Sequence, residues 1–252
     1  MKALITGASS GIGADMARVL SNKGYDLILV ARRKTRLEKL KKELNTDVKI
    51  INMDISSTFN CMDLYNQVKE ENIDILINNA GFGLYGAFSK SNLDKELDMI
   101  DLNIKAVHTL TKLFLKDFKQ KNSGYILNVS SSAAFLPGPL MATYYASKAY
   151  ILNLTEAISE ELKQDNSQVY IGALCPGPVS TEFSKVAQVE FNLKSLSSYE
   201  VADYAIKKMF HRKIVIIPSI KMKLAIFLLR FIPQLLQLKI SYHLQRKKGR
   251  WW

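Results

Sequence analysis

The sequence predicts an α/β fold, a parallel sheet covered by helices on both faces. Three observations predict it. Short, nearly unbroken apolar runs of four to six residues recur along the chain, as strands buried on both faces must read. Longer segments with helical spacing of apolar residues separate them, the pattern of successive βαβ units. The 252 residues, 48% hydrophobic and 23% charged, are enough to bury one sizeable core.

Taken in order, Lys2–Thr6 precedes a helix from about Ile12 to Lys23. Asp26–Ala31 (DLILVA) precedes a charged helix, Thr35–Leu44. Val48–Met53 is followed by a helix over Phe59–Glu71, and Ile73–Ile77 by a long helix from about Leu93 to Phe118. Tyr125–Val129 leads to the helix carrying Tyr144. Val169–Leu174 runs into an irregular stretch through about Ser198, and a helix over Tyr199–Phe210 precedes Ile214–Ile217. Seven strands result, with no internal repeat and no dividing linker. Beyond them, two short amphipathic helices broken at Pro233 are expected.

Charge is unevenly placed. The net is +12, yet from Ser219 onward there are eight Lys/Arg and no Asp/Glu. The first 218 residues hold 27 Lys/Arg against all 23 Asp/Glu, a net of +4. A nucleic-acid reading needs a basic surface with a recognition motif, and none is found. Cys61 and Cys175 have neither a disulfide pattern nor metal-ligand spacing, which points to a reducing, cytoplasmic setting without a metal. Met1-Lys2 leads straight into the first strand, so no leader is expected, and no run reaches membrane-spanning length.

The first turn, Thr6-Gly-Ala-Ser-Ser-Gly-Ile-Gly13, follows a strand and opens a helix. Glycines there let a diphosphate approach the backbone, with helix N–H groups aimed at it. Gly7, Gly11 and Gly13 therefore read as a dinucleotide loop. The second strand ends in Arg32-Arg33, where a site for unphosphorylated ribose usually carries an acid. Guanidinium groups suit a 2′-phosphate, so NADP(H) is favoured over NAD(H); the alternative is a solvated basic helix start. Asp54-Ile55 follows the third strand as an adenine contact or as plain turn chemistry. Asn78-Asn-Ala-Gly81 follows the fourth, with small residues beside a cofactor ring and Asn side chains able to tie strand ends together. Tyr144 and Lys148, four apart, share one helix face. A neighbouring ammonium lowers a phenol's pKa and makes it a usable acid and base, although such pairs are also common surface contacts.

With TGASSGIG at 6–13, NNAG at 78–81 and Tyr144-x-x-x-Lys148 in this order, the chain resembles the classical short-chain dehydrogenases/reductases over about residues 1–218. The resemblance implies a single Rossmann-type, doubly wound domain with a seven-stranded parallel sheet. It implies a catalytic serine thirteen residues before the tyrosine, which is Ser131, with Ser130 and Ser132 one register away. It implies an asparagine 24 residues after Asn79, which is Asn103. Asn has poor helix propensity, so either a water-binding kink or a plain exposed position accounts for it. Tyr145 competes with Tyr144 but lacks a lysine four residues on. Cys175-Pro-Gly-Pro-Val-Ser-Thr181 is similar to the family's loop at the nicotinamide, which adds Pro176, Gly177, Val179 and Thr181. The implied cofactor set is then Gly7, Ser9, Ser10, Gly11, Ile12, Gly13, Arg32, Arg33, Asp54, Ile55, Asn79, Ala80, Gly81 and that loop, joined by Tyr144 and Lys148.

The implied activity is an NADP(H)-dependent oxidoreductase passing hydride between nicotinamide and a carbonyl or secondary alcohol. Tyr144 is the proton donor, Ser131 holds the oxygen, Lys148 lowers the Tyr144 pKa and binds ribose, and Asn103 supports a water relay. Phe82, Leu84, Tyr85, Phe135, Leu136, Leu140, Met141, Val186 and Phe191 suit an apolar substrate pocket, or equally core and subunit contacts. A homodimer or homotetramer is expected. The alternative is a catalytically idle dinucleotide-binding sensor or scaffold. Residues 219–252 form a separate basic extension ending in two tryptophans. It reads as a peripheral contact with an anionic membrane, a lid or a dimer contact.

Overall fold

Alternate residues of the first strand, β1 (Lys2–Thr6), enter different halves of the core: Ala3 and Ile5 on one side, Leu4 on the other, all fully buried. This is the period-two signature of a sheet covered on both faces. The structure, a computed structural model, describes residues 1–187 and 195–246.

After β1 come α1 (Gly11–Ser21), β2 (Asp26–Ala31), α2 (Lys34–Glu43), β3 (Val48–Asn52), α3 (Thr58–Val68) and β4 (Ile73–Asn78). Then come α4 (Leu93–Ile100), a π-helical segment (Asp101–Ala106), α5 (Val107–Gln120), β5 (Tyr125–Val129), a 3-10 turn (Ser132–Phe135) and α6 (Ala142–Gln164). The chain continues with β6 (Tyr170–Leu174), β7 (Val179–Ser180), α7 (Phe183–Ala187), β8 (Leu196–Ser197), α8 (Ser198–Phe210) and β9 (Val215–Ile216). The tail adds α9 (Ile220–Leu229) and α10 (Gln234–Arg246).

Seven parallel strands pair in the order β3-β2-β1-β4-β5-β6-β9, the expected sheet. Helices α1, α2 and α8 cover one face, and α3, α5 and the end of α6 the other. The order reverses at β1, between β2 and β4. Loops leaving β1 and β4 therefore part in opposite directions and open a crevice at the strands' C-terminal ends. A hollow of about 380 Å³, lined by Leu162, Val169, Tyr170 and Arg212, lies at the opposite, N-terminal end.

Three local features depart from expectation. The stretch read as irregular contains β7, α7 and β8, with β7 and β8 forming a small parallel pair. The long helix from Leu93 is continuous but widens into the π segment around Asn103. The tail does form two helices broken at Pro233, but they carry their apolar residues outward. In α10 the buried positions are Ser241 and Gln245, while Leu235, Leu236, Ile240 and Leu244 are exposed. Phe191 and residues 247–252 lie outside the described residues.

Candidate active site

The crevice is closed from below by two loops that touch. Gly7 adopts φ +64°, and a Cβ there would come 2.7 Å from the Ala80 Cα. A Cβ on Gly13 would lie 2.3 Å from Asn79 Nδ2, so only glycine fits either place. The contact is tied by hydrogen bonds. Asn79 and Ala80 donate their backbone N–H groups to Thr6 Oγ1 at 3.0 and 3.1 Å. Asn79 Nδ2 donates to the carbonyls of Thr6 and Gly7 at 3.0 and 3.2 Å. One layer deeper, Asn78 Nδ2 donates to Asn128 Oδ1 at 2.8 Å and to Thr111 at 3.0 Å, joining β4 to β5 and α5. On the open side Thr181 sits over Gly11, its Cγ2 3.1 Å from where a Cβ would be. The loops after β1, β4 and β6 thus share one rim.

Of the two predicted arginines, Arg33 crosses this rim. Its Nε and Nη2 donate to Ser9 Oγ at 3.1 and 3.0 Å, and Nη2 also to Ser10 Oγ at 2.7 Å. Its Nη1 donates to Glu182 at 2.8 Å, and Arg36 reaches the same carboxylate at 2.6 Å. Hydrogen bonds from Arg36 and then Arg33 hold the Glu182 carboxyl down at about 2. Arg36 and Glu182 escaped the sequence reading, since Glu182 lies 149 positions from Arg33. Arg32 instead turns to Asp54 at 3.3 Å. Burial raises the Asp54 pKa, but the Ser56 N–H and Arg32 outweigh it and leave the carboxyl low. Ile55 points its side chain into the core, so it offers the crevice only backbone.

Tyr144 and Lys148 lie one turn apart at the start of α6, 8% and 6% exposed. Lys148 Nζ donates to the Val129 carbonyl at 2.9 Å and stands 5.9 Å from the centre of the Tyr144 ring. The three neighbouring serines separate cleanly. Ser130 Oγ donates to the Lys148 carbonyl at 2.8 Å, and Ser132 N–H to the Pro176 carbonyl at 2.8 Å. Ser131 Oγ accepts from Ala133 N–H at 3.1 Å and faces the Tyr144 hydroxyl. Tyr145 is turned aside and takes a hydrogen bond from Gln245 Nε2.

Electrostatically the pair corrects the expectation of a lowered phenol pKa. Burial pushes Tyr144 up to about 12, with only the Ser131 hydroxyl opposing. Lys148 is itself pushed by burial down to about 8. Desolvation of the charged form is the largest cause of both shifts. Cys175 beneath them is driven up to about 12 by burial, so it packs as a thiol.

Asn103 is fully buried, which excludes the plain exposed position. Its Oδ1 accepts from Phe82 N–H at 3.1 Å, and its Nδ2 donates to the Phe82 carbonyl at 2.9 Å and to Ser147 Oγ at 3.2 Å. Gly81 slips between, where a Cβ would meet Asn103 Oδ1 at 2.8 Å and Lys148 Nζ at 3.4 Å. Phe82, Leu84, Tyr85 and Met141 gather around Tyr144 as anticipated, joined by Tyr145 and the unforeseen Phe183, whose ring centre is 5.2 Å away. Phe135 packs instead with Leu152, Cys175 and Ile226. Val186 is largely exposed. Leu140 has φ +66° and gives its carbonyl to Gly86 N–H at 2.8 Å.

The chain is similar to known proteins over most of its length. The family profile described as short chain dehydrogenase matches residues 1–190. An uncharacterised oxidoreductase of Staphylococcus epidermidis is 32% identical over 214 residues, covering 83% of this chain and 92% of that protein. The human 17-beta-hydroxysteroid dehydrogenase type 3 is 33% identical over 207 residues, 78% of this chain and 65% of that protein. A solved short-chain dehydrogenase from Sphingobium yanoikuyae in complex with NADPH superposes with a TM-score of 0.81 at 31% identity, covering 92% of this chain and 96% of that one. With the seven-stranded sheet and its switch-point crevice, these matches make the chain a member of the short-chain dehydrogenase family of oxidoreductases.

Proposed function

We propose that the protein reduces an apolar ketone or aldehyde with NADP(H), or runs the reverse oxidation, with Tyr144 as the acid and base. One observation carries the reading: a lysine and a tyrosine are buried together at the crevice, and the lysine is desolvated enough to titrate near 8. A buried ammonium weakens a fold, and such perturbed groups cluster at functional sites.

The residues present fit a phosphorylated dinucleotide. Gly7 and Gly13 leave the loop floor without Cβ atoms, and Arg33 spans Ser9 and Ser10 with a guanidinium suited to a 2′-phosphate. When bound, the nicotinamide supplies or takes the hydride. Tyr144, fully protonated at neutral pH, gives its proton to the carbonyl oxygen. Ser131 donates a hydrogen bond to the same oxygen. Lys148 is the cation nearest the Tyr144 ring and stabilises the phenolate left behind. Asn103 holds the Phe82 backbone and so the near wall of the pocket. That wall is aromatic and aliphatic, which fits a bulky apolar substrate body. The NADPH of the Sphingobium structure and the hydroxysteroid in the human relative's name agree with both choices.

The test follows NADPH and NADH absorbance with the protein and a panel of ketones, aldehydes and acyl thioesters. NADPH oxidation with an apolar carbonyl is the expected result. Preference for NADH overturns the cofactor assignment, and no oxidation across the panel overturns the activity.

A further inference from the structure

The tail leaves a large apolar surface bare. On α9, Leu224 and Phe227 are exposed, Phe231 beyond it is 72% exposed, and on α10 Leu235 is 76% exposed. Met222 and Ile226 of α9 reach the body, where they join the cluster around Leu152 and Cys175, and Lys223 Nζ donates to the Tyr204 hydroxyl of α8 at 3.0 Å. The two helices are joined as a unit, since Gln237 Nε2 donates to the carbonyls of Leu229 and Ile232 at 2.9 and 2.8 Å and so caps the end of α9. Helix α10 is inverted, with Ser241 and Gln245 inside and leucines outside. A water-facing helix has the opposite pattern. Soluble monomers rarely leave so wide an apolar patch uncovered.

Charge says what covers it. Lys221, Lys223, Arg230, Lys239 and Arg246 are all exposed around the patch. Lys247, Lys248 and Arg250 follow in sequence, and the tail holds no Asp or Glu. A second copy on a two-fold axis would bring the five described positive charges against five. An anionic lipid surface instead satisfies both properties, with apolar side chains at the acyl boundary and lysines and arginines among the headgroups. Among the described residues no helix is long and apolar enough to span a membrane, so the contact lies in the interfacial plane.

We propose that the outer face of α9 and α10 docks the protein on an anionic membrane surface. The inner edge of the same tail touches the site. Gln245, 2% exposed, donates to the Tyr145 hydroxyl, and Tyr85 donates to the Gln245 carbonyl at 3.2 Å. Both tyrosines belong to the cluster around Tyr144. Resting on the function proposed above, this sets the pocket rim at the lipid, the phase into which an apolar carbonyl compound partitions.

The experiment sediments the full chain with vesicles of phosphatidylcholine alone or mixed with phosphatidylglycerol, without cofactor or substrate. Pelleting with the anionic vesicles, weakened by salt, is expected. The F227Q/F231Q/L235Q variant is expected to lower the partition coefficient on the order of 100-fold, with unchanged circular dichroism and turnover of a water-soluble carbonyl. Absence of pelleting with anionic vesicles overturns the proposal, as does a variant that pellets like the parent. A stable dimer that the triple substitution dissociates, without vesicle binding, assigns the face to a second copy instead. Vesicle binding is read without turnover, so the docking surface and the enzymatic reading fail separately.

Discussion

Replacing Lys148 by methionine is expected to stabilise the protein while removing its activity. In the fold the ammonium titrates near 8 rather than at 10.5, because burial strips its water. That drop corresponds to about 3 kcal/mol against folding with a charged lysine. Methionine has similar length and no charge to desolvate. It forfeits the charge-assisted bond to the Val129 carbonyl, worth about 1.5–3 kcal/mol. The net expectation is a gain of up to about 2 kcal/mol at pH 7. The pH dependence has a definite sign. Between about 8 and 10.5 the unfolded chain holds a proton that the folded chain has released, so wild-type stability rises with pH. The advantage of methionine is therefore full below pH 8 and fades towards pH 10.5. Tyr144, pushed up to about 12 by burial, titrates in both proteins and largely cancels from the difference. Urea unfolding followed by circular dichroism at several pH values, beside NADPH turnover, measures both effects. A variant less stable than wild type at pH 7, or a gap that stays constant to high pH, refutes the reasoning.

Tyr144→Phe keeps the ring packing on Phe183 and removes the hydroxyl that carries the proton. Turnover is expected to fall by about 10²–10⁴, while NADPH affinity, read by fluorescence titration, barely moves. Arg33→Ala is expected to weaken NADPH about 10–100-fold through lost charge-assisted bonds and to leave NADH nearly unaffected. Equal losses for both dinucleotides would remove Arg33 from the 2′-phosphate. Gly13→Ala forces a methyl group to within 2.3 Å of the Asn79 amide. It should cost about 1–3 kcal/mol in urea unfolding and weaken both dinucleotides together.

The strands and the loop motifs were legible because their information is local. Apolar runs declare strands, glycines declare the turn, and β1 and β4 meet at the switch point by topology. What stayed hidden depends on distance in sequence or on burial. The Arg33–Glu182–Arg36 clamp joins residues 146 and 149 positions apart. The bond from Gln245 to Tyr145 spans 100 positions. For the arginine pair, adjacency in sequence concealed that Arg32 goes to Asp54 and Arg33 to the serines. The sign of the Tyr144 shift failed differently. Helical spacing correctly put a lysine nearby, but spacing carries no measure of desolvation, which dominates both groups. The outward polarity of α10 was also invisible, since periodicity finds an apolar face without saying what it meets.

Asn103 acts as a peptide group supplied from outside the chain's own path. Its carbonyl takes the Phe82 N–H and its amide returns a bond to the Phe82 C=O, the two-way exchange a neighbouring strand makes. The helix, opened to a wide turn at that point, contributes a single rung to a ladder that has no other member. Only a primary amide on a short stem can copy a peptide in this way. Aspartate lacks the donor, leucine lacks both groups, and glutamine carries one methylene too many. The backbone after NNAG therefore takes its place from a side chain on the helix as well as from its own strand. A shift of that helix would be felt at Phe82 before any residue of the loop itself had changed.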